Sequence, residues 1–161
     1  MAAVINVTAG SQAVLTLGTT ATMAKPGGTG GMIIPFVQDV TVNAAPGIVR
    51  YSVLDSSSSQ AFTTVNENSI SGNMLLDEET FFGLATAGGV NTVADAGLFA
   101  TSTTKTKVFF SVAFEGSDSG DYYVHGQAFI GGLAPTASMD AAVWISPIEL
   151  IVDGELGSLT V

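Results

Sequence analysis

Residues 128–150 read AFIGGLAPTASMDAAVWISPIEL. An apolar strand pattern halts at Gly131 and Gly132, passes through the small-residue bridge APTASMD, and resumes as VWISPIEL. Strand, glycine stop, short bridge and strand make a β-protein pattern. Pro147 interrupts the second strand. It has no N–H to give a ladder, so it is expected at a sheet edge or a bulge. The bridge carries one acid, Asp140, and no histidine or cysteine lies near it.

The same pattern extends outward. In KVFFSVAFE (107–115), Val108, Phe110, Val112 and Phe114 fall on one face at period two, and Phe109 puts an apolar group on the other. GSDSGD (116–121) then reads as a turn, and YYVHGQAFI (122–130) as the returning strand of an antiparallel hairpin. VQDVTV (37–42) and IVRYSVL (48–54) flank the turn-rich NAAPG. SISGNMLL (69–76) reads as a strand with Gly72 at a bulge or a close approach. VINVT and AVLTL start the chain as further strands, and apolar residues on both strand faces suggest surface hidden against other copies.

One helix is expected. Asp77 suits the N-cap of DEETFFGLATAGG, Glu78 and Glu79 sit where the helix dipole favours anions, and Gly88 is a natural stop. Gly83 inside it costs about 1 kcal/mol relative to alanine, so the helix must be short and held by packing. The expected fold is mainly β: a β-sandwich or partly closed barrel with one short flanking helix at about residues 77–87. It forms a single domain over 1–161, with a flexible glycine-rich loop at 24–32, AKPGGTGGM.

Composition fits a packed domain: 47% of the 161 residues are hydrophobic and 11% are charged. No apolar run reaches the roughly 18–20 residues of a membrane helix, and MAAVINVTAG lacks the features of a signal peptide. There is no cysteine, which excludes disulfides and thiolate chemistry. Fourteen acids against four bases give a net charge of −10, opposite to a phosphate-binding footprint.

Catalytic patterns are missing. His125 is the sole histidine and lies mid-strand; no serine stands in a G-x-S-x-G elbow; Lys25 precedes the glycines of PGGTGG, whereas a P-loop lysine follows them. Asp118–Asp121 and Asp77–Glu79 match no EF-hand spacing and are explained by a turn and a helix start. Asn6-Val7-Thr8 fits the glycosylation triplet, which carries little weight without a secretion signal. The expectation is a non-enzyme with no metal and no cofactor.

The stretch YYVHGQAFIGGLAPTASMDAAVWISPIELIVDGEL resembles the C-terminal half of long-tailed phage major tail tube proteins. The matching pieces are Gly126 to Ile130, Leu133 to Ser138, Asp140, Val143 to Val152 and the Asp153-Gly154 turn. SISGNMLLDEETFFGLATAGG resembles the family's strand running into its helix, and residues 37–62 its early strand pair and intervening loop. The resemblance covers roughly residues 36–156, departing from many members in its short first loop and brief tail.

It implies hexameric rings stacked into a hollow virion tail tube, assembled in the host cytoplasm, with each subunit's sheet joined to its neighbours so that no strand edge stays exposed. Implied partners are further copies of the chain, tape-measure and tail-terminator proteins, and double-stranded DNA passing without adhering during ejection. Six copies would carry about −60, six times the charge of one chain, and acids on a lumen wall would repel the duplex. Candidate lumen acids are Glu67, Glu115, Glu149 and Asp153; the candidate ring-stacking loop is Lys25, Pro26, Gly27, Gly28, Thr29 and Gly30. The small residues of the APTASMD bridge would let neighbouring subunits pack close. A capsid decoration protein, usually trimeric, is the competing reading, followed by the tube of a contractile injection machine and by a small β-sandwich enzyme or sugar-binding module.

Overall fold

A computed structural model describes residues 13–34, 37–55, 57–76, 78–84, 92–116, 118–137, 139–140 and 144–161. The first strand pattern (VINVT), the glycosylation triplet, the Asp77 cap and the Gly88 stop lie outside the described residues.

The strands are β1 Val14–Gly18, β2 Met32–Ile33, β3 Val37–Asn43, β4 Ile48–Tyr51, β5 Gln60–Thr63, β6 Ser69–Leu76, β7 Val108–Ala113, β8 Tyr122–Leu133, β9 Trp144–Val152 and β10 Gly157–Thr160. Among the described residues three helices join them: α1 Ala21–Ala24, α2 Glu78–Phe82 and α3 Val93–Thr103. One sheet runs β2-β1-β7-β8-β9-β6-β3 with β10 also on β8, and β4-β5 form a separate pair.

The long strand β8 organises the sheet. Its first half pairs with β7 and β10, and its second half with β9, with a register shift between Ile130 and Gly132. Strands that turn a corner through a bulge let one sheet fold into two facing layers. The β9–β10 line turns the same corner: residues 153–156 interrupt it, and the Asp153 N–H bonds to the Gln127 carbonyl at 2.7 Å. Leu15, Leu17, Phe110 and Val112 from one layer and Ile70, Met74, Ile148 and Leu150 from the other share a single core. Full burial of each such side chain contributes about 1.5–3 kcal/mol.

This is a sandwich-like mainly β fold, as expected, but the barrel expectation is corrected. Among the described residues no ladder joins β2 or β1 to β3, so the sheet stays open. The single-helix expectation is corrected too. Helix α2 ends at Phe82 because Gly83 takes φ +90°, and α3 is an additional helix. Thr92 caps α3 by accepting from the Asp95 N–H, and Val93, Leu98 and Thr101 are its buried side.

Three further strand readings change. Pro147 lies in an interior strand, opposite Asn73 of β6, and on its other side the β8 ladder stops at Leu133–Ile148, so no N–H is missed. The strands flanking NAAPG do not pair with each other: β3 pairs with β6, and β4 with β5. The two-faced burial of β1 and β7 is satisfied within the chain, because α1 packs on their second face and Ser111 Oγ donates to the Ala24 carbonyl. Gly72 is a close approach, as expected, since a Cβ there would collide with the Asp39 carbonyl, where β3 carries its bulge.

Candidate assembly surface

The β3–β6 ladder does not end at Asn43 and Ser69. It continues as a two-stranded arm through residues 44–47 and 64–68 into β4 and β5. Thr64 N–H donates to the Gly47 carbonyl at 2.6 Å and Glu67 N–H to the Ala45 carbonyl at 3.0 Å. Asn66 and Asn68 side chains accept from the Gly47 and Ala45 N–H groups. All eight strand residues of the arm are exposed. Val49, Tyr51 and Phe62 lie on one face, with the Tyr51 and Phe62 ring centroids 5.8 Å apart and the Tyr51 hydroxyl on Gln60 at 2.7 Å. Ile48 and Arg50 lie on the other, and Leu54 at the tip is wholly exposed. A lone two-stranded ribbon is marginal in water, and exposed apolar area concentrated on it marks an interaction site.

The face of the sheet away from the core holds part of the acid set. Along β9, Glu149, Ile151 and Asp153 alternate onto it, and Ser71 and Thr41 lie beside Glu149. Asp39 shares this face, its carboxylate accepting from both the backbone and the side-chain amide of Asn73 at 2.9 and 2.8 Å. Asp153 is paired with Lys107 at 2.5 Å, and the Lys107 ammonium also stands 5.6 Å from the Phe129 ring centroid. Both partners of this pair are nearly half exposed, so Asp153→Asn is expected to change stability by less than about 1 kcal/mol in chemical denaturation.

The remaining candidates are scattered. Glu67 lies exposed in the root of the arm, and Glu115 lies exposed beyond the end of β7 in a groove with Val37, Asp39 and Phe114. The structure thus brings Glu149 and Asp153 onto one face and leaves Glu67 and Glu115 elsewhere. In the glycine-rich loop Pro26 is buried and Gly28 N–H bonds back to the Lys25 carbonyl, while Lys25, Gly27, Thr29 and Gly30 are exposed. The bridge residues Ala134 to Ala137 are exposed and tied to β9 by a Thr136–Ile145 bridge; Ser138 lies outside the described residues. His125 stacks near Tyr123, 5.9 Å between ring centroids, against Gly157.

A second apolar surface lies on the helix whose apolar face the sequence assigns to Phe81, Phe82 and Leu84, because that face is not wholly buried. Phe81 is buried at the hub of an aromatic cluster, with ring centroids of Phe82, Phe99 and Trp144 at 4.8, 5.4 and 5.8 Å. Phe82, Leu84 and Phe99 are each about half exposed. The FF dipeptide at 81–82 was the available signal: an amphipathic helix can bury only one of two adjacent rings. Among the described residues no three His, Cys, Asp or Glu side chains are grouped to hold a metal, and no helix is long and apolar enough to cross a membrane.

No protein-family model matches this sequence, and no curated protein matches it. Solved structures do match its fold. A chain from the virion of a native gene transfer agent particle superposes with a TM-score of 0.65 at 14% identity, covering 96% of this chain and 100% of that one. A chain from the tail of an empty gene transfer agent particle, refined helically with C6 symmetry, gives 0.63 at 16% identity, again covering 96% and 100%. The fold is therefore one found in virion and tail assemblies.

Proposed function

We infer that this chain is a tail tube subunit, forming hexameric rings that stack into a conduit for double-stranded DNA. The observation that carries the reading is the full-length agreement in fold with a chain of a C6-symmetric tail. The exposed arm supports it, since such a ribbon becomes stable when copies cover it. In the assembled tube, the open edges β2 and β3 would be closed by neighbours, removing the edge liability of the free sheet. Tape-measure and terminator proteins would occupy the tube's interior and end.

The outer sheet face is the candidate lumen wall, with Asp39 joining Glu149 and Asp153; Glu67 and Glu115 would line it where subunits meet. The glycine-rich loop, with Lys25, Gly27, Thr29 and Gly30 exposed, would meet the next ring. Negative-stain microscopy of purified protein tests the assignment directly. Sixfold rings or tubes are expected, threefold knobs would transfer it to capsid decoration, and monomers alone at every concentration and salt would overturn it.

The lumen reading carries its own expected result. Tubes built from a Glu149→Lys, Asp153→Lys chain should retain duplex DNA at low salt and release it as salt rises, because each lysine–phosphate contact displaces a counterion. Sedimentation with labelled DNA measures this. Equal, negligible retention by lysine and native tubes would sink the repulsive-conduit reading and leave the tube itself standing.

A further inference from the structure

The arm and the aromatic cluster lie at opposite ends of one ladder. The arm leaves β6 at Ser69, whereas Phe82 and Trp144 follow its Leu76 end, where Leu76 pairs with Trp144. Eight residues of extended strand separate the two surfaces by roughly 25 Å. The arm continues the ladder away from the cluster, so the two cannot meet within one chain. Between copies they can, and a surface at one end that fits a different surface at the other gives head-to-tail association.

Charge favours the same pairing. Arg50 is one of only four basic residues in the chain and stands on the arm. Glu78 and Glu79 precede Phe82 by four and three positions on α2, which puts their carboxylates on its side of the helix. Neither α2 nor α3 contains a lysine or arginine. Ring faces beside the carboxylates also suit a guanidinium, which stacks on aromatic groups.

We propose that the β4–β5 arm of one copy docks on the Phe82–Phe99–Trp144 surface of the next through its Ile48–Arg50 face, with Ile48 against the rings and Arg50 directed to Glu78 and Glu79. The proposal rests on the self-assembly inferred above but not on its sixfold symmetry.

Trp144 is the only tryptophan in the chain, so its emission reports on the docking surface alone. As the protein assembles, that emission should shift to shorter wavelength in step with the sedimenting fraction. Arg50→Glu should raise the concentration needed for assembly about tenfold or more, the usual scale for an interface arginine. Adding Glu78→Lys and Glu79→Lys to the Arg50→Glu chain should restore assembly, which damage to the arm's fold would not allow. Assembly with unchanged Trp144 emission, or the absence of rescue by the paired reversal, overturns the docking and leaves the tube reading intact. Rings of another symmetry that show the emission shift and the rescue support the docking and overturn the hexameric tube. A wild-type chain that stays monomeric overturns both.

Discussion

Replacing residues 48–63 by a two-glycine turn between Gly47 and Thr64 is expected to leave a folded monomer and to abolish assembly. The splice is geometrically available, because Thr64 N–H already donates to the Gly47 carbonyl at 2.6 Å. The deleted segment gives nothing to the core, since all eight strand residues of the arm are exposed. Surface changes of this kind cost less than about 1 kcal/mol, or a melting shift of about 2–4 °C for a chain of this size. The assembled fraction, by contrast, should fall at least about a hundredfold, as when several central interface residues are lost together. Thermal melting with sedimentation velocity separates the two effects. A shortened chain that melts far below the parent would make the arm part of the fold. One that assembles normally would remove it from the interface.

The largest loss of stability is expected at Gly97. This residue interrupts α3 with φ +75° and ψ 165°, and its backbone lies directly against Gly83, which itself has φ +90°. A Cβ at position 97 would collide with the Gly83 nitrogen and the Phe81 carbonyl, and a Cβ at 83 with the Asp95 carbonyl. The neighbouring groups are all backbone and cannot rotate away. Strain in this glycine-only region and forced separation of α2 from α3 together should make Gly97→Ala cost about 3 kcal/mol, or about 10 °C in melting temperature. Gly120→Ala is the control. It also has positive φ, +103°, but nothing lies within 4 Å of its Cβ, so it bears the conformational cost alone. Equal losses at the two sites would mean that the glycine-to-glycine contact adds nothing.

Much of the fold was legible because its signals are local. The alternation of Val108, Phe110 and Val112, and of Ile70, Met74 and Leu76, marks buried faces that the structure confirms, whereas Phe114, read on the first of these faces, lies past the end of β7 and is exposed. Gly72 was readable as a close approach for the same reason. What was not legible depended on distant partners. Pro147 was expected at an edge or a bulge; it does stand at an interruption, between the Leu133–Ile148 pair and the Thr136–Ile145 bridge, but the strand is interior, which only the pairing partners reveal. Phe109 looked like a contact with another copy, whereas it lies beside α1 and Lys25. Helix α3 was missed because Gly97 and four threonines and serines among residues 93–104 weaken its propensity, and its stability comes from packing of Val93 and Leu98 and from the Thr92 cap. For the candidate site, alternation put Glu149 and Asp153 on one face, but Asp39 joins them only through register with Asn73. The apolar residues of the arm were visible as strands, yet only the three-dimensional arrangement shows that they are exposed among the described residues.

Asn68 joins three segments at the root of the arm. Its carboxamide oxygen accepts from Ala45 N–H, its amide nitrogen reaches the Gly154 carbonyl, and its own carbonyl accepts from Val152 N–H. The side chain is almost fully buried, so water does not loosen these links. The arm is therefore set at a fixed angle to the sheet before it meets another molecule, and little orientational freedom remains to be lost on contact. In a stacked filament, that single carboxamide would act as a protractor: the same angle, repeated at every step, fixes the pitch of the whole column.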